Sequence, residues 1–134
     1  MPVRFTMHLP RARTAIRAGV DAFLRAAADA YRSALLTKYG EHRGGYTSGE
    51  YATGATVQSI QASEPYAADS GGRAIAVFTD DVVAVYWTLG FQHAGANGQY
   101  HRVDHWSPAM LDSADDQFTR GAKAAREAFD ASGQ

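Results

Sequence analysis

The stretch that decides the fold is Val82-Val-Ala-Val-Tyr-Trp-Thr-Leu89. It runs into a segment carrying Gly90, Gly95 and Gly98, and the chain resumes as Tyr100-His-Arg-Val-Asp-His-Trp106. β-Branched and aromatic residues dominate the eight positions, which predicts a strand. Alternation then puts Val83, Val85, Trp87 and Leu89 on one face and Val82, Ala84, Tyr86 and Thr88 on the other. Both faces are apolar over most of the length. That predicts a sheet covered on two sides, by the chain's own helices and by a neighbouring subunit; a buried central strand of a monomer is the alternative.

Downstream, Gly90 to Gln99 reads as an extended loop and Tyr100 to Trp106 as a short fourth strand. Ser107 and Pro108 suit the N-cap and first position of a C-terminal helix reaching Ala131. Its apolar stripe is Met110, Leu111, Ala114, Phe118, Ala122, Ala125 and Phe129. Upstream, Asp80-Asp81 and Asp69-Ser-Gly-Gly72 read as tight turns. Ile60 to Ala67, with Pro65 marking an edge, Arg73 to Thr79, and Val82 to Leu89 then form an antiparallel meander. Thr53 suits the N-cap of a short helical turn, Gly54 to Ser59.

Residues 40–52 read as a second extended loop. Before it, Arg11 to Lys38 predicts a long helix closed by Gly40. Ile16, Val20, Phe23, Leu24, Ala27, Tyr31, Ala34 and Leu35 form its stripe, with Arg11, Arg13, Arg17, Arg25 and Arg32 mostly off it. Val3, Phe5, Met7 and Leu9 alternate with polar residues, so residues 1–10 read as an arm or short strand. The expected fold is one α+β domain over 1–134. A small antiparallel sheet of three to four strands, in a meander, packs against a long N-terminal helix and a C-terminal helix.

Composition narrows the function classes. With 46% hydrophobic and 20% charged residues in 134, the chain is globular and not disordered. No apolar run approaches a membrane span, and Met1 to Pro10 lacks the pattern of a signal peptide. There is no cysteine, which excludes disulfides and zinc–thiolate sites and suits folding in a reducing cytoplasm. The net charge of −1 argues against nucleic-acid binding by the whole protein, but the charge is split. Residues 1–40 carry +5, residues 41–100 carry −4 and residues 101–134 carry −2. Such a split suits a subunit meeting a different surface at each end; a solvated basic helix that happens to come first is the plainer reading.

Catalytic constellations are weak. On a strand His101 and His105 would stand about 13 Å apart, too far to share one ion. Gly45-Tyr-Thr-Ser-Gly49 has its serine misplaced for a nucleophile elbow. Asp80-Asp81 and Asp115-Asp116 are explained by turn and helix-dipole chemistry. No catalytic residue, metal ligand or cofactor is assigned, and the chain is read as a non-enzyme. The aromatic and loop residues Tyr46, Tyr51, Tyr86, Trp87, Phe91, His93, Asn97, Tyr100 and Trp106 are the candidate oligomer or partner interface. The alternative is a small α+β enzyme or ligand-binding domain with a site near Trp87, His101, His105 and Trp106.

The order Thr53-Gly54, Ser59-Ile60, a hairpin, Tyr86-Trp87-Thr88-Leu89-Gly90 and Trp106-Ser-Pro108-Ala109 resembles the neck and tail-completion proteins of long-tailed bacteriophages. The resemblance spans about residues 11 to 130 and rests on order and spacing, since each motif is short. It implies a structural virion protein that forms a ring, commonly sixfold, at the head–tail junction. Such a ring joins the portal connector and head-closure proteins to the tail tube, and genomic DNA passes through its lumen without sequence-specific binding. Assembly in the host cytoplasm, no membrane and no cofactor complete the expectation.

Overall fold

A computed structural model describes residues 9–41, 55–92, 100–102 and 104–132. Residues 1–8 of the expected arm at 1–10, most of the two expected loops (42–52 and 93–99), and the expected N-cap Thr53 with Gly54 lie outside the described residues, while Leu9 and Pro10 belong to α1 and not to an arm. Two long helices dominate: α1, Leu9–Glu41, and α4, Trp106–Ser132. Between them come α2 (Ala55–Ser59), four two-residue strands, α3 (Val82–Leu89) and a last strand pair. The strands are β1 (Gln61–Ala62), β2 (Tyr66–Ala67), β3 (Arg73–Ala74), β4 (Val77–Phe78), β5 (Phe91–Gln92) and β6 (Tyr100–His101).

The mixed α and antiparallel β class is as expected, but the sheet is not. Val82–Leu89 is a helix, so the three- to four-strand meander and its two-faced central strand do not form. Local chemistry at the two ends explains the difference. Asp81 donates its backbone N–H to Thr79 Oγ1 (3.0 Å), and Val85 N–H closes the first turn on Asp81 O (3.3 Å). At the other end Gly90 has φ +93°, the left-handed conformation that terminates helices. An eight-residue apolar run satisfies helix and strand patterns alike, so its ends decide. Ala84, fully buried, is the point of closest approach to the core.

Ile60–Ala67 and Arg73–Thr79 do form a hairpin about the Asp69–Gly72 turn, where Gly71 takes φ +89°. Its pairing is interrupted. Gln61 faces Phe78 and Ala62 faces Val77, while Tyr66 faces Ala74 and Ala67 faces Arg73. Three residues, Ser63 to Pro65, thus oppose two, Ile75 and Ala76, which is a bulge. Pro65 has no N–H to pair, and Ser63 replaces a ladder bond by accepting Ala76 N–H on its Oγ (3.0 Å). A separate pair, β5 with β6, sets Phe91 against His101, so the fourth strand ends at His101 and does not reach Trp106.

Asp21, Arg25 and Arg32 of α1 hold the hairpin. Arg73 grips Asp21 through two bonds of 3.0 Å, in a pair whose side chains are only 21% and 16% exposed. That bidentate contact lowers the Asp21 pKa below its ordinary value. Arg25 meets Glu64 at 2.9 Å, and Arg32 donates Nε–H to Ile60 O at 2.8 Å. Helix α1 continues through Gly40 to Glu41, so Gly40 is not its stop.

Helices α1 and α4 run antiparallel, with Asp29 bonded to Arg120 and Lys38 to Asp112. Small residues line the seam. A β-carbon at Gly121 would lie 2.7 Å from the Phe23 ring, and one at Gly19 would lie 3.3 Å from Ala125 O. The larger core sits at the far end of α1. There Leu35, Tyr39, Ile60, Ala84 and Ala109 are buried, with Tyr31, Ala34, Leu36, Val57, Val77 and Trp106 packed around them. None of the helices among the described residues is long and apolar enough to cross a membrane.

Two substitutions test this packing by chemical denaturation. Gly121→Val should cost about 1–3 kcal/mol by overpacking against Phe23, and Leu35→Ala about 2–5 kcal/mol by leaving a cavity. A Gly121→Val protein as stable as wild type would show that the helices are not this close.

Candidate functional site

Trp106 joins the two ends of the chain. Its indole Nε1–H donates to Tyr39 Oη (3.0 Å), and its carbonyl accepts from Tyr31 Oη–H (3.1 Å), both partners lying on α1. Its own N–H and that of Ser107 donate to Asp104 Oδ1 at 2.8 and 3.2 Å. Asp104 therefore caps α4, which begins two residues before the expected start. Ser107 is not the cap, and Pro108 occupies the third helical position, where its missing N–H costs nothing. Burial raises the Asp104 pKa, but the bonds from Ser107 and Trp106 and the charge of Arg102 outweigh it and hold the carboxyl below its ordinary value.

Burial, the largest influence on each, raises the pKa of Tyr31 and of Tyr39; for Tyr39 the bonds with Thr88 and Trp106 act against it. Both hydroxyls stay protonated at neutral pH; Tyr31 uses its proton to donate to Trp106 O, and Tyr39 accepts the indole N–H. His105 is 3% exposed, with its ring centroid 4.5 Å from that of Tyr39. It belongs to the core. Asp80 and Asp81 do not form a hairpin turn; they lead into α3.

The expected interface residues fare unevenly. Tyr46, Tyr51, His93 and Asn97 lie outside the described residues. Tyr86 and Trp87 have their backbones on α3, Phe91 on β5, and Tyr100, with His101 of the alternative site, on β6; their side chains are not among those described. Trp106 is half-buried and packs against the core, bonded to Tyr39. An apolar cavity of about 230 Å³ beside it is lined by Thr79, Ala84, Val85, Thr88 and Leu89. It is smaller than the roughly 300–1,000 Å³ of typical ligand sites. Among the described residues no group of three or more His, Cys, Asp or Glu side chains could hold a metal ion.

What sequence reasoning missed is the orientation of α4. Its buried residues are Ala109, Ser113 and Gly121. The stripe expected to face inward is turned out: Leu111 is 77% exposed, Phe118 69%, Phe129 46% and Met110 45%. On α1, Ile16 (56%) and Val20 (39%) are exposed as well. Together with Gly19, Phe23, Leu24, Ala125, Arg126 and Phe129 they line an apolar groove of about 470 Å³ between the helices. The available signal was the small residue at every fourth place or its multiple, Ala109, Ser113 and Gly121, which permits close helix approach.

Compared with known proteins, the chain matches no family model, no curated protein and no solved structure.

Asp104→Ala should cost about 1 kcal/mol at neutral pH, the usual value of a helix cap. Because the folded-state pKa of Asp104 is depressed from 3.8, its contribution is complete above that value and lost as pH falls through the folded pKa. The gap between wild type and variant, read by urea titration at a series of pH values, should therefore close below about pH 4. A gap independent of pH would show that the carboxylate is not the capping group.

Proposed function

We propose that this chain is a structural subunit of a phage head–tail junction, working as a ring of copies of itself. The observation that carries this reading is the outward apolar stripe of α4. Leu111, Phe118 and Phe129 share one face of α4 and are 77%, 69% and 46% exposed, while alanine, serine and glycine fill the seam behind them. Exposed apolar faces of this kind mark protein–protein contact surfaces. The core points the same way. Of the nine buried hydrophobic residues described, six are alanine, and only Leu35, Tyr39 and Ile60 are large. A subunit with so thin a core gains most from burying its remaining apolar surface against other chains.

The motifs that resemble phage neck and tail-completion proteins fall at junctions that frame the fold. Ser59-Ile60 ends α2 and delivers a fully buried Ile60. Leu89-Gly90 ends α3 at the left-handed glycine. Trp106 to Ala109 opens α4 with the Tyr31 and Tyr39 contacts and a buried Ala109. These are framework roles, which suits a subunit whose task is assembly. In this reading, one layer of the ring meets connector or head-closure proteins and the other meets tail-tube proteins. DNA passes through the lumen without sequence-specific contact, and the protein resides in the virion.

Native mass spectrometry and negative-stain microscopy of the full chain test the proposal. A closed oligomer, sixfold in the simplest case, is expected. Phe129→Asp, on the same helix face, should reduce assembly at least tenfold while the monomer keeps its far-UV circular dichroism, since position 129 is 46% exposed. A chain that stays monomeric at high micromolar concentration would overturn the proposal.

A further inference from the structure

We infer that copies join head to tail, with α3 of one copy seated in the α1–α4 groove of the next. This rests on the assembly reading above and names the two surfaces that meet. Val82, Val85 and Leu89 lie at i, i+3 and i+7 on α3 and share one face. They are 57%, 38% and 71% exposed. The groove presents Ile16, Val20 and Leu24 at i, i+4 and i+8 along α1, with Phe129 and Ala125 opposite on α4. An eight-residue helix is about 12 Å long, and Ile16 to Leu24 spans about the same distance. A short apolar helix face in an apolar groove is a recurrent recognition geometry.

Charge supports the same pairing. Asp80, exposed, and Asp81 stand at the start of α3. Arg13 and Arg17 on α1, both exposed, flank the stretch of α1 that lines the groove, and Arg126 on α4 lines it directly. Among the described residues neither Arg13 nor Arg17 makes an ion pair within 4 Å, although the charge of Arg17 helps lower the Asp21 pKa. The acidic approach to α3 thus meets a basic rim, in keeping with the split between a +5 first segment and a −4 middle segment.

The two surfaces cannot meet within one copy. Ala84 of α3 packs with Leu35 and Tyr39, at the C-terminal end of α1. Val20 lies fifteen residues before Leu35 on the same helix, about 22 Å away. A contact between unlike surfaces on separate copies is heterologous, and it propagates until a rotation closes it into a ring.

Mixing two variants tests the junction. Val20→Asp disables the groove and Leu89→Asp disables the α3 face; both positions are exposed, and far-UV circular dichroism and the Tm check that each variant folds. Mass photometry should show each variant alone as a monomer, weakened at least tenfold in self-association. An equal mixture should form a dimer and nothing larger, because one intact groove and one intact α3 remain. Loss of assembly in both variants without rescue on mixing would overturn head-to-tail pairing in favour of a symmetric contact. Variants that assemble like wild type would overturn this junction and leave the ring reading standing. A wild type that never assembles would overturn both. As a second measure, the chain has no native cysteine, so Val20→Cys with Leu89→Cys in one chain should give a disulfide ladder under mild oxidation. Leu89→Cys alone should not.

Discussion

The close approach of α1 and α4 is the constraint from which the rest of the structure follows. Gly19 and Gly121 leave no room for a β-carbon without displacing a neighbour, and Ala109 and Ser113 extend the same narrow seam. Helices that approach through small residues bury little side-chain area per turn. The large apolar residues of both helices are therefore pushed to the flanks of the contact. One flank is covered where the hairpin lies on α1, held by the Asp21–Arg73 grip. The other flank, from Ile16 to Phe129, is left open. Close packing inside and an apolar face outside are thus one arrangement and not two.

The same constraint explains the division of the molecule. At the C-terminal end of α1, where α2, the hairpin and α3 gather, large side chains do enter the core and Trp106 ties both helices together. At the N-terminal end, among the described residues, the helix pair stands without the other elements. One end serves folding and the other is available for contact. Of the basic residues on α1, Arg13 and Arg17 lie toward the open end, while Arg25 and Arg32 hold the hairpin.

Much of the framework was legible in the residues. The helical pattern and alanine content of α1 and the turn at Asp69–Gly72 report local preferences that the fold keeps. Two readings failed for physical reasons. Val82–Leu89 looked like a strand because periodicity is silent over eight apolar residues, and the deciding features were the capping contact of Thr79 and the backbone conformation of Gly90. The stripe of α4 was correctly found and wrongly aimed. Amphipathicity says which face is apolar, but not whether the chain itself or another chain covers it. Asp104 as the helix cap was hidden because Ser107 and Pro108 offer an equally good local start.

The pairing of α1 with α4 also bears on how the chain folds. Arg120 and Asp29 are 91 residues apart in sequence. Each helix can form within about a microsecond, but neither has a local partner across a short turn. Their docking waits on closure of a loop that contains every other element of the structure, and loop closure is an entropic cost met before any seam contact is made. A molecule that is mostly helix by content therefore depends on a contact between distant parts of its chain, a topology of the kind that slows folding.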